Sequence, residues 1–210
     1  IYVAGADSGI YVIDATDPAN PEMVNRIPNS ETGGFRVGSL YAIGNLLVIA
    51  GNDVPGYATL DISDPVEPKL LDSTIQGPEN YSVLVNGNRI FGAARFKELY
   101  AHDISDPRNI QQAGYFKGTN DKGGYLSYQD GFIHMGASVN YAKIDVRDED
   151  NFQLVDLATS GIADRDEDFA SVFGNIVVLG DDHENGSFLI PHQAEPDKMG
   201  PTVNLVVPAN

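Results

Sequence analysis

Residues 11–21 read YVIDATDPANP. The stretch returns as ATLDISDPVEP (58–68), LYAHDISDPRNI (99–110) and YAKIDVRDED (141–150), with a worn copy, FLIPHQAEP, at 188–196. Each copy is an apolar strand that ends in Asp, followed by a short polar residue and then Asp-Pro or its remnant. The strand-ending aspartates are Asp14, Asp61, Asp103 and Asp145, spaced 47, 42 and 42 residues apart; Pro191 stands in that place in the fifth copy. A fixed period in the forties is the mark of a repeat architecture, in which each unit buries its faces against its neighbours.

Around this motif every period holds four apolar segments, A to D. Segment A (SLYAI 39–43, YSVLV 81–85, YLSYQ 125–129, FASVF 169–173) runs almost directly into segment B (LLVIAG 46–51, RIFGAA 89–94, FIHMGA 132–137, IVVLGD 176–181). Between them sit Gly44-Asn45, Asn86-Gly87-Asn88, Asp130-Gly131 and Gly174-Asn175. These residues tolerate the positive φ of a tight hairpin. The opening motif is segment C. Segment D follows as EMVNRI (22–27), KLLDST (69–74), IQQAGYF (110–116) and FQLVDL (152–157). Two carboxylates per repeat suggest a metal site, but recurrence at one turn suits a different role. Asp accepts hydrogen bonds from the next backbone N–H groups, and Pro presets φ for the turn.

Four short strands per period, with no sustained 3.6-residue apolar pattern, predict an all-β chain: a β-propeller of four-stranded antiparallel blades. About five blades are visible, at 1–28, 29–75, 76–117, 118–159 and 160–196. The first lacks its A strand, beginning at IYVAGA (1–6), and the last is eroded after C. Residues 197–210 read either as a last outer strand, TVNLVV (202–207), or as a linker into a following domain. An open ring would leave apolar blade faces uncovered.

The formal net charge is −17, from 30 acidic and 13 basic residues. That argues against nucleic acid as a partner, because phosphate binding needs Lys and Arg, and against an anionic membrane surface. There is no cysteine, which removes disulfides, thiolate metal sites and thiol catalysis. No apolar run is long enough for a membrane span. The chain opens at Ile1 inside a strand, which reads as a processed or excised piece of something longer.

The C–D motif resembles the LVIVD-repeat family of bacterial and archaeal surface propellers. The matching residues are Tyr11-Val12-Ile13-Asp14 with Thr16-Asp17-Pro18 and Pro21, then Thr59-Leu60-Asp61-Ile62-Ser63-Asp64-Pro65 with Pro68, and Asp103-Ile104-Ser105-Asp106-Pro107. The fourth copy departs with Arg147-Asp148-Glu149, and the fifth lacks the strand Asp. The resemblance implies an exported or cell-surface protein of several domains and leaves the activity unassigned. The tail from Glu195 to Val203 is similar to the lead-in of bacterial immunoglobulin-like modules.

In a propeller the A–B and C–D turns share one rim, and the B–C and D–A loops share the other. Loops on a rigid scaffold are where binding residues concentrate. On that second rim the candidate ligand-binding residues are Arg36, Asp53, Tyr57, Arg95, Lys97 and Asp121. Two acidic loops supply candidate metal ligands: Asp164, Asp166 and Asp168 in one, Asp181, Asp182 and Glu184 in the other. Ca²⁺, which wants six to eight oxygens, is the ion they would take, although Asp-x-Asp-x-Asp spacing with the terminal Glu of a dedicated calcium loop is absent. A solvated acidic surface explains the same residues. His102, His134, His183 and His192 form no triad or metal pattern in sequence, so packing or surface placement is expected for them. Tyr57, Tyr81, Tyr125 and Tyr141 serve either ligand contact or packing between blades.

Two functions follow. One is a non-enzymatic exported module that binds a protein or glycan through the variable loops. The alternative is a metal-assisted hydrolase or lyase built on the 164–168 and 180–185 loops.

Overall fold

The computed structural model describes residues 1–75, 79–94, 98–117, 124–137, 140–159, 169–181 and 186–192. Every repeat becomes one antiparallel sheet. The first has three strands, β1 (Tyr2–Ala4), β2 (Ile10–Asp14) and β3 (Glu22–Ile27). Three four-stranded sheets follow in sequence order: β4 (Val37–Ile43) to β7 (Lys69–Thr74), β8 (Asn80–Asn86) to β11 (Gln111–Lys117), and β12 (Leu126–Gln129) to β15 (Gln153–Thr159). In these, strands B and C are β5 (Leu46–Gly51) and β6 (Tyr57–Asp61), β9 (Arg89–Ala94) and β10 (Glu98–Asp103), and β13 (Phe132–Ala137) and β14 (Asn140–Asp145). The fifth sheet holds β16 (Phe169–Phe173), β17 (Ile176–Gly180) and β18 (Ser187–Pro191). The predicted outer strand at 202–207 lies outside the described residues. One 3₁₀ turn, Asn29–Glu31, is the only helical element among those described.

The A–B hairpins take the two tight turn types that match strand twist. Gly44, Gly87 and Gly174 hold positive φ at the first central position, with Asn second, the pattern of a type II′ turn. Asp130 and Gly131 are both left-handed, the pattern of type I′. The C–D turns are built by the repeated aspartates. Asp14, Asp61, Asp103 and Asp145 accept from the backbone N–H two residues on, at 2.7–3.0 Å. The second aspartates, Asp17, Asp64, Asp106 and Asp148, do the same at 3.0–3.2 Å. Both carboxylates therefore serve as turn acceptors, and the fourth copy keeps the device without proline. The two turns of the rim are also tied together. Ile62, Ile104, Val146 and His192 donate their N–H groups to the A–B turn carbonyls of Asn45, Asn88, Gly131 and Asn175.

A feature absent from the sequence reading recurs two residues before each strand-ending aspartate. The C–D register slips at Val12/Ile13, Thr59/Leu60, Ala101/His102 and Lys143/Ile144. One extra residue on D is accommodated each time: Val24, Leu71, Ala113 and Val155. A bulge of this kind increases the local twist, and its repetition gives the outer strands a common bend.

The sheets stack in chain order, and alternation along each strand sets which face meets which neighbour. On β5, Leu47 and Ile49 face sheet 1, while Val48 and Ala50 face sheet 3. On β9 and β13, Phe91 and Ala93 meet Ile133 and Met135. On β17, Val177 and Leu179 meet Tyr141. The four apolar clusters are thus the four spaces between successive blades. The extensive strand contacts of the fifth sheet among the described residues are with the fourth.

Candidate functional site

The variable-loop rim is best defined between blades 2 and 3. Here the B–C loop turns through Asp53, a non-glycine residue at positive φ. Its backbone is sewn to both neighbours. Asn52 donates to the Arg36 carbonyl (3.1 Å), Asp53 to the Asn80 carbonyl (3.1 Å), and Asn80 to the Val54 carbonyl (3.1 Å). Beneath, the buried Asn80 side chain accepts from the Tyr57 hydroxyl at 2.5 Å and donates to the Gly56 carbonyl at 2.9 Å. Phe35 wedges under the same loop, where a Cβ on Gly56 would strike its ring at 2.6 Å.

Of the candidate ligand-binding residues, the fold brings Arg36 and Asp53 together. Arg36 Nη1 lies 3.8 Å from Asp53 Oδ2, and both side chains are about 40% exposed. An exposed pair of this kind contributes about 0–1 kcal/mol, so it can open to a charged or hydroxylated ligand at little cost. Tyr57 is a correction. It is buried between blades 2 and 3, its hydroxyl is taken by Asn80, and its ring lies 4.5 Å from that of His102. It supports the loop from below and does not face a ligand. Burial also pushes its phenol well above the usual tyrosine range. Arg95, Lys97 and Asp121 lie outside the described residues, as do Asp164, Asp166, Asp168, Asp182 and Glu184 of the acidic loops. Asp181 is placed: it follows β17 and donates its N–H to the Gly186 carbonyl at 3.1 Å. Among the described residues no three His, Cys, Asp or Glu side chains converge as a cation site.

The histidines go to the blade interfaces. His102 on β10 is buried against blade 2. His134 and His192 meet between blades 4 and 5, ring centroids 4.8 Å apart, although 58 residues separate them in sequence. His134 Nδ1 pairs with the Tyr141 hydroxyl at 2.7 Å. Desolvation holds His102 at about 4 and, with the nearby His192 and Lys143, His134 at about 4. Both are therefore neutral at pH 7 and act as packed polar groups. Tyr81 has no described side chain, and Tyr125 stacks on Phe169 with centroids 4.2 Å apart.

The opposite, Asp-Pro rim carries repeated clefts between blades. One of about 490 Å³ is lined by Tyr2, Asp14, Thr16, Val24 and Pro65, and another of about 480 Å³ by Leu46, Asp61, Ser63, Leu71 and Pro107. The bulge residues Val24 and Leu71 occupy equivalent places in the two. The corresponding position between blades 3 and 4 is filled by Arg89, which pairs with Glu149 of the next blade and with Asp103 at 2.7 Å. The carboxyls of Asp14, Asp17, Asp61, Asp103 and Asp145 are held below the usual carboxylate range by their donors. For Asp103 the Ser105 hydroxyl leads, and for Asp61 the Ser63 backbone N–H. They stay ionised as structural acceptors. Asn80, the His134–His192 pair and Arg89 escaped the sequence reading, because each depends on a neighbour one blade away.

Matches to solved structures agree with this architecture. The chain resembles the computationally designed Ika8 protein at TM-score 0.70 and 14% identity, covering 90% of this chain and 54% of that one. BamB from Moraxella catarrhalis matches at TM-score 0.60 and 11% identity, over 84% and 50%. A chain of the Mitotic Checkpoint Complex matches at 0.64 and 14%, over 85% and 52%. At these identities the likeness is one of fold, and the fold is the β-propeller. The chain spans about half the length of these three. No family model and no curated protein matches it. No helix among the described residues is long and apolar enough to cross a membrane.

Proposed function

We propose that the chain is a non-enzymatic, exported or cell-surface propeller serving as an interaction and scaffold module of a larger protein, with a protein or glycan ligand at the variable-loop rim. The observation that carries this reading is the contrast between the rims. On one, four blades rebuild the same pair of aspartate turns, and the carboxylates are occupied by backbone N–H groups. On the other, the loops differ from blade to blade in sequence, and the 51–56 loop presents an exposed Arg36–Asp53 pair on a fixed backbone. A rigid frame with variable loops is how binding surfaces are commonly built. The Mitotic Checkpoint Complex neighbour places the same fold within a protein assembly. The export reading rests on the LVIVD-repeat resemblance.

The test is a screen of the 210-residue chain against glycan and secreted-protein arrays. Saturable binding is expected, weakened roughly tenfold, about 1.4 kcal/mol, by Arg36→Glu and by Asp53→Lys. If charge reversals across the rim leave every interaction intact, the reading fails.

A further inference from the structure

Strand C closes on an aliphatic residue in four of the five blades. Ile13, Leu60 and Ile144 stand directly before the turn aspartates Asp14, Asp61 and Asp145, and Ile190 stands before Pro191. Blade 3 departs, with His102 before Asp103. Leu60 and Ile144 are fully buried, and His102 is only 3% exposed. Its Nδ1 is shut from solvent with no hydrogen-bond partner. A buried polar atom without a partner is destabilising, and packing alone would be better served by the aliphatic residue of the other blades. The surroundings depart with it. In the seam between blades 3 and 4, Ile144 shares an apolar cluster with Phe152, whose ring Gly114 admits. In the seam between blades 2 and 3 the places of Phe152 and Gly114 are held by Ile110 and Asp72. A cleft of about 480 Å³ remains there, lined by His102 with Asp72, Ser73, Asn109, Gln111 and Gln112.

The polar groups of the cleft are held in place from two blades. Asp72 Oδ2 accepts the Ile110 N–H at 2.7 Å, which fixes the carboxylate across the seam. Gln111 Nε2 donates to Asn109 Oδ1 at 2.7 Å and to the Ile110 carbonyl at 3.1 Å, which leaves the Asn109 amide N–H groups and Gln111 Oε1 for another partner. Ser73 and Gln112 are exposed beside them. Among the described residues no Lys or Arg lines the cleft, so a phosphate or sulfate would lack its counter-charge. One carboxylate is a poor start on the six to eight oxygens that Ca²⁺ wants. Imidazole, amide, hydroxyl and carboxylate groups together both give and accept hydrogen bonds at close range, which is the complement of vicinal hydroxyl groups. We propose that the cleft between the outer strands of blades 2 and 3 binds a neutral, hydroxyl-rich ligand, a sugar unit of a glycan, with His102 at its floor. The volume falls in the range of about 300–1,000 Å³ usual for small-ligand sites. An extended peptide would instead pair along a strand edge and has no need of side chains drawn from two blades. The cleft shares no residue with the Arg36–Asp53 loop, so it stands whether or not that rim binds a ligand.

The test is nuclear magnetic resonance of the 210-residue chain carrying ¹⁵N-labelled histidine, with His102→Leu assigning the His102 ring signals. Cellobiose, maltose, lactose, mannobiose and diacetylchitobiose are each added at millimolar concentration. At least one is expected to move the His102 signals saturably and to leave those of His134 and His192 in place. Ser73→Ala and Gln112→Ala change exposed residues, and circular dichroism verifies their fold. Each is expected to weaken that binding roughly three- to tenfold, the loss of one or two neutral hydrogen bonds. His102→Leu installs the residue that blade 2 carries as Leu60, and calorimetry is expected to find its sugar binding lost while its thermal unfolding is no weaker than that of the unmodified chain. Arg36→Glu is expected to leave the cleft's binding unchanged, which separates this site from the loop rim. The proposal is overturned if none of the five sugars moves His102, or if the shift survives both lining substitutions. It is overturned equally if inorganic phosphate, Ca²⁺ or a strand-forming Thr-Val repeat peptide moves His102 where the sugars do not.

Discussion

The spaces between blades 3 and 4 and between blades 4 and 5 are made by the same repeat, yet they are filled by different chemistry. Between blades 3 and 4, Phe91, Ala93, Leu99 and Ala101 meet Ile133, Met135, Ala142 and Ile144, with Phe152 and Phe116 closing the outer edge. The seam is apolar and continuous, and Gly114 lets Phe152 approach so closely that a Cβ there would lie 2.4 Å from its ring. Between blades 4 and 5, the residues in the places of Phe91 and Ala101 are His134 and Lys143, both buried. Lys143 lies over the Phe132 ring at 4.2 Å, and His192 reaches in from beyond β18. The fold requires only that each face be filled and its polar groups be kept neutral or paired. Where apolar side chains do this, the seam is indifferent to pH; where histidine does, it is not.

The largest expected effect comes from opening the apolar seam. Ile133→Ala is expected to lower the stability of the chain by about 3–5 kcal/mol, the cost of lost burial plus a cavity in a packed core. Urea unfolding measures it. Leu179→Ala, at the neighbouring apolar position of blade 5, is expected to cost less, about 2–3 kcal/mol. Hydrogen exchange should place that loss in β16 to β18. Equal losses spread over the whole chain would erase the distinction between the seams.

Acid should separate them next. His134 titrates at about 4 in the folded chain, well below an ordinary histidine at 6.5. Between those values the unfolded chain binds the extra proton, so stability falls as pH drops through 6.5 and levels off near 4. The linkage ceiling is about 1.4 kcal/mol per pH unit, roughly 3 kcal/mol in all. Groups facing His134 include His192 and Lys143, both of which oppose its proton, with Asp156 acting on Tyr141. His134→Phe, which installs the residue found at Phe91, is expected to flatten this limb of the pH profile. His102 at the blade 2–3 seam contributes a similar slope, so the His102→Leu, His134→Phe double variant should flatten it further than either single variant. Persistence of the full slope in that variant would reject histidine as its source. Asp14, Asp61 and Asp103 protonate below this window, because their donors lower them.

A smaller difference lies at the rim. Arg89 spans from blade 3 to Glu149 of blade 4 and also pairs with Asp103. Its side chain is partly exposed, so a double-mutant cycle of Arg89→Ala with Glu149→Ala should give a coupling of about 0.5–1 kcal/mol. That coupling should shrink in salt. A coupling of zero would mean that packing alone holds blade 3 to blade 4.

The sequence made the frame legible because its signals are local. Asp-Pro, Gly-Asn and Asp-Gly each act within four residues, so strand boundaries fell close to their observed places, as with β3 at Glu22–Ile27 and β7 at Lys69–Thr74. The D-strand bulge was not legible, since Val24, Leu71, Ala113 and Val155 share no chemistry that marks an extra residue. The meeting of His134 with His192 and the clasp of Asn80 on Tyr57 depend on the spacing between blades, which no local pattern carries. For the candidate rim, the loops were legible as variable, and the Arg36–Asp53 pair needed the fold to bring a D–A connection beside a B–C loop.

The smallest expected effect concerns the fourth copy of the motif, where Arg147 replaces the serine of blades 2 and 3. In blade 3 the Ser105 hydroxyl and backbone N–H both bond to Asp103. In blade 4 the Arg147 N–H bonds to Asp145 at 3.0 Å, and the guanidinium takes over from the hydroxyl, with Nε 2.9 Å from Oδ1. The same guanidinium lies over the Phe132 ring at 4.6 Å. Arg147→Ser keeps the backbone bond and supplies a hydroxyl donor, while giving up an exposed ion pair and ring contact. It is therefore expected to change stability by less than about 0.5 kcal/mol. Asp145→Ala removes the acceptor that both devices share, and should cost about 1 kcal/mol. Thermal unfolding of the two variants decides the point. If Arg147→Ser proves the more damaging, the guanidinium is a structural contact of the blade 4 face in its own right. If Asp145→Ala does, the turn carboxylate is the constant part of the repeat and the residue two places on is free to vary.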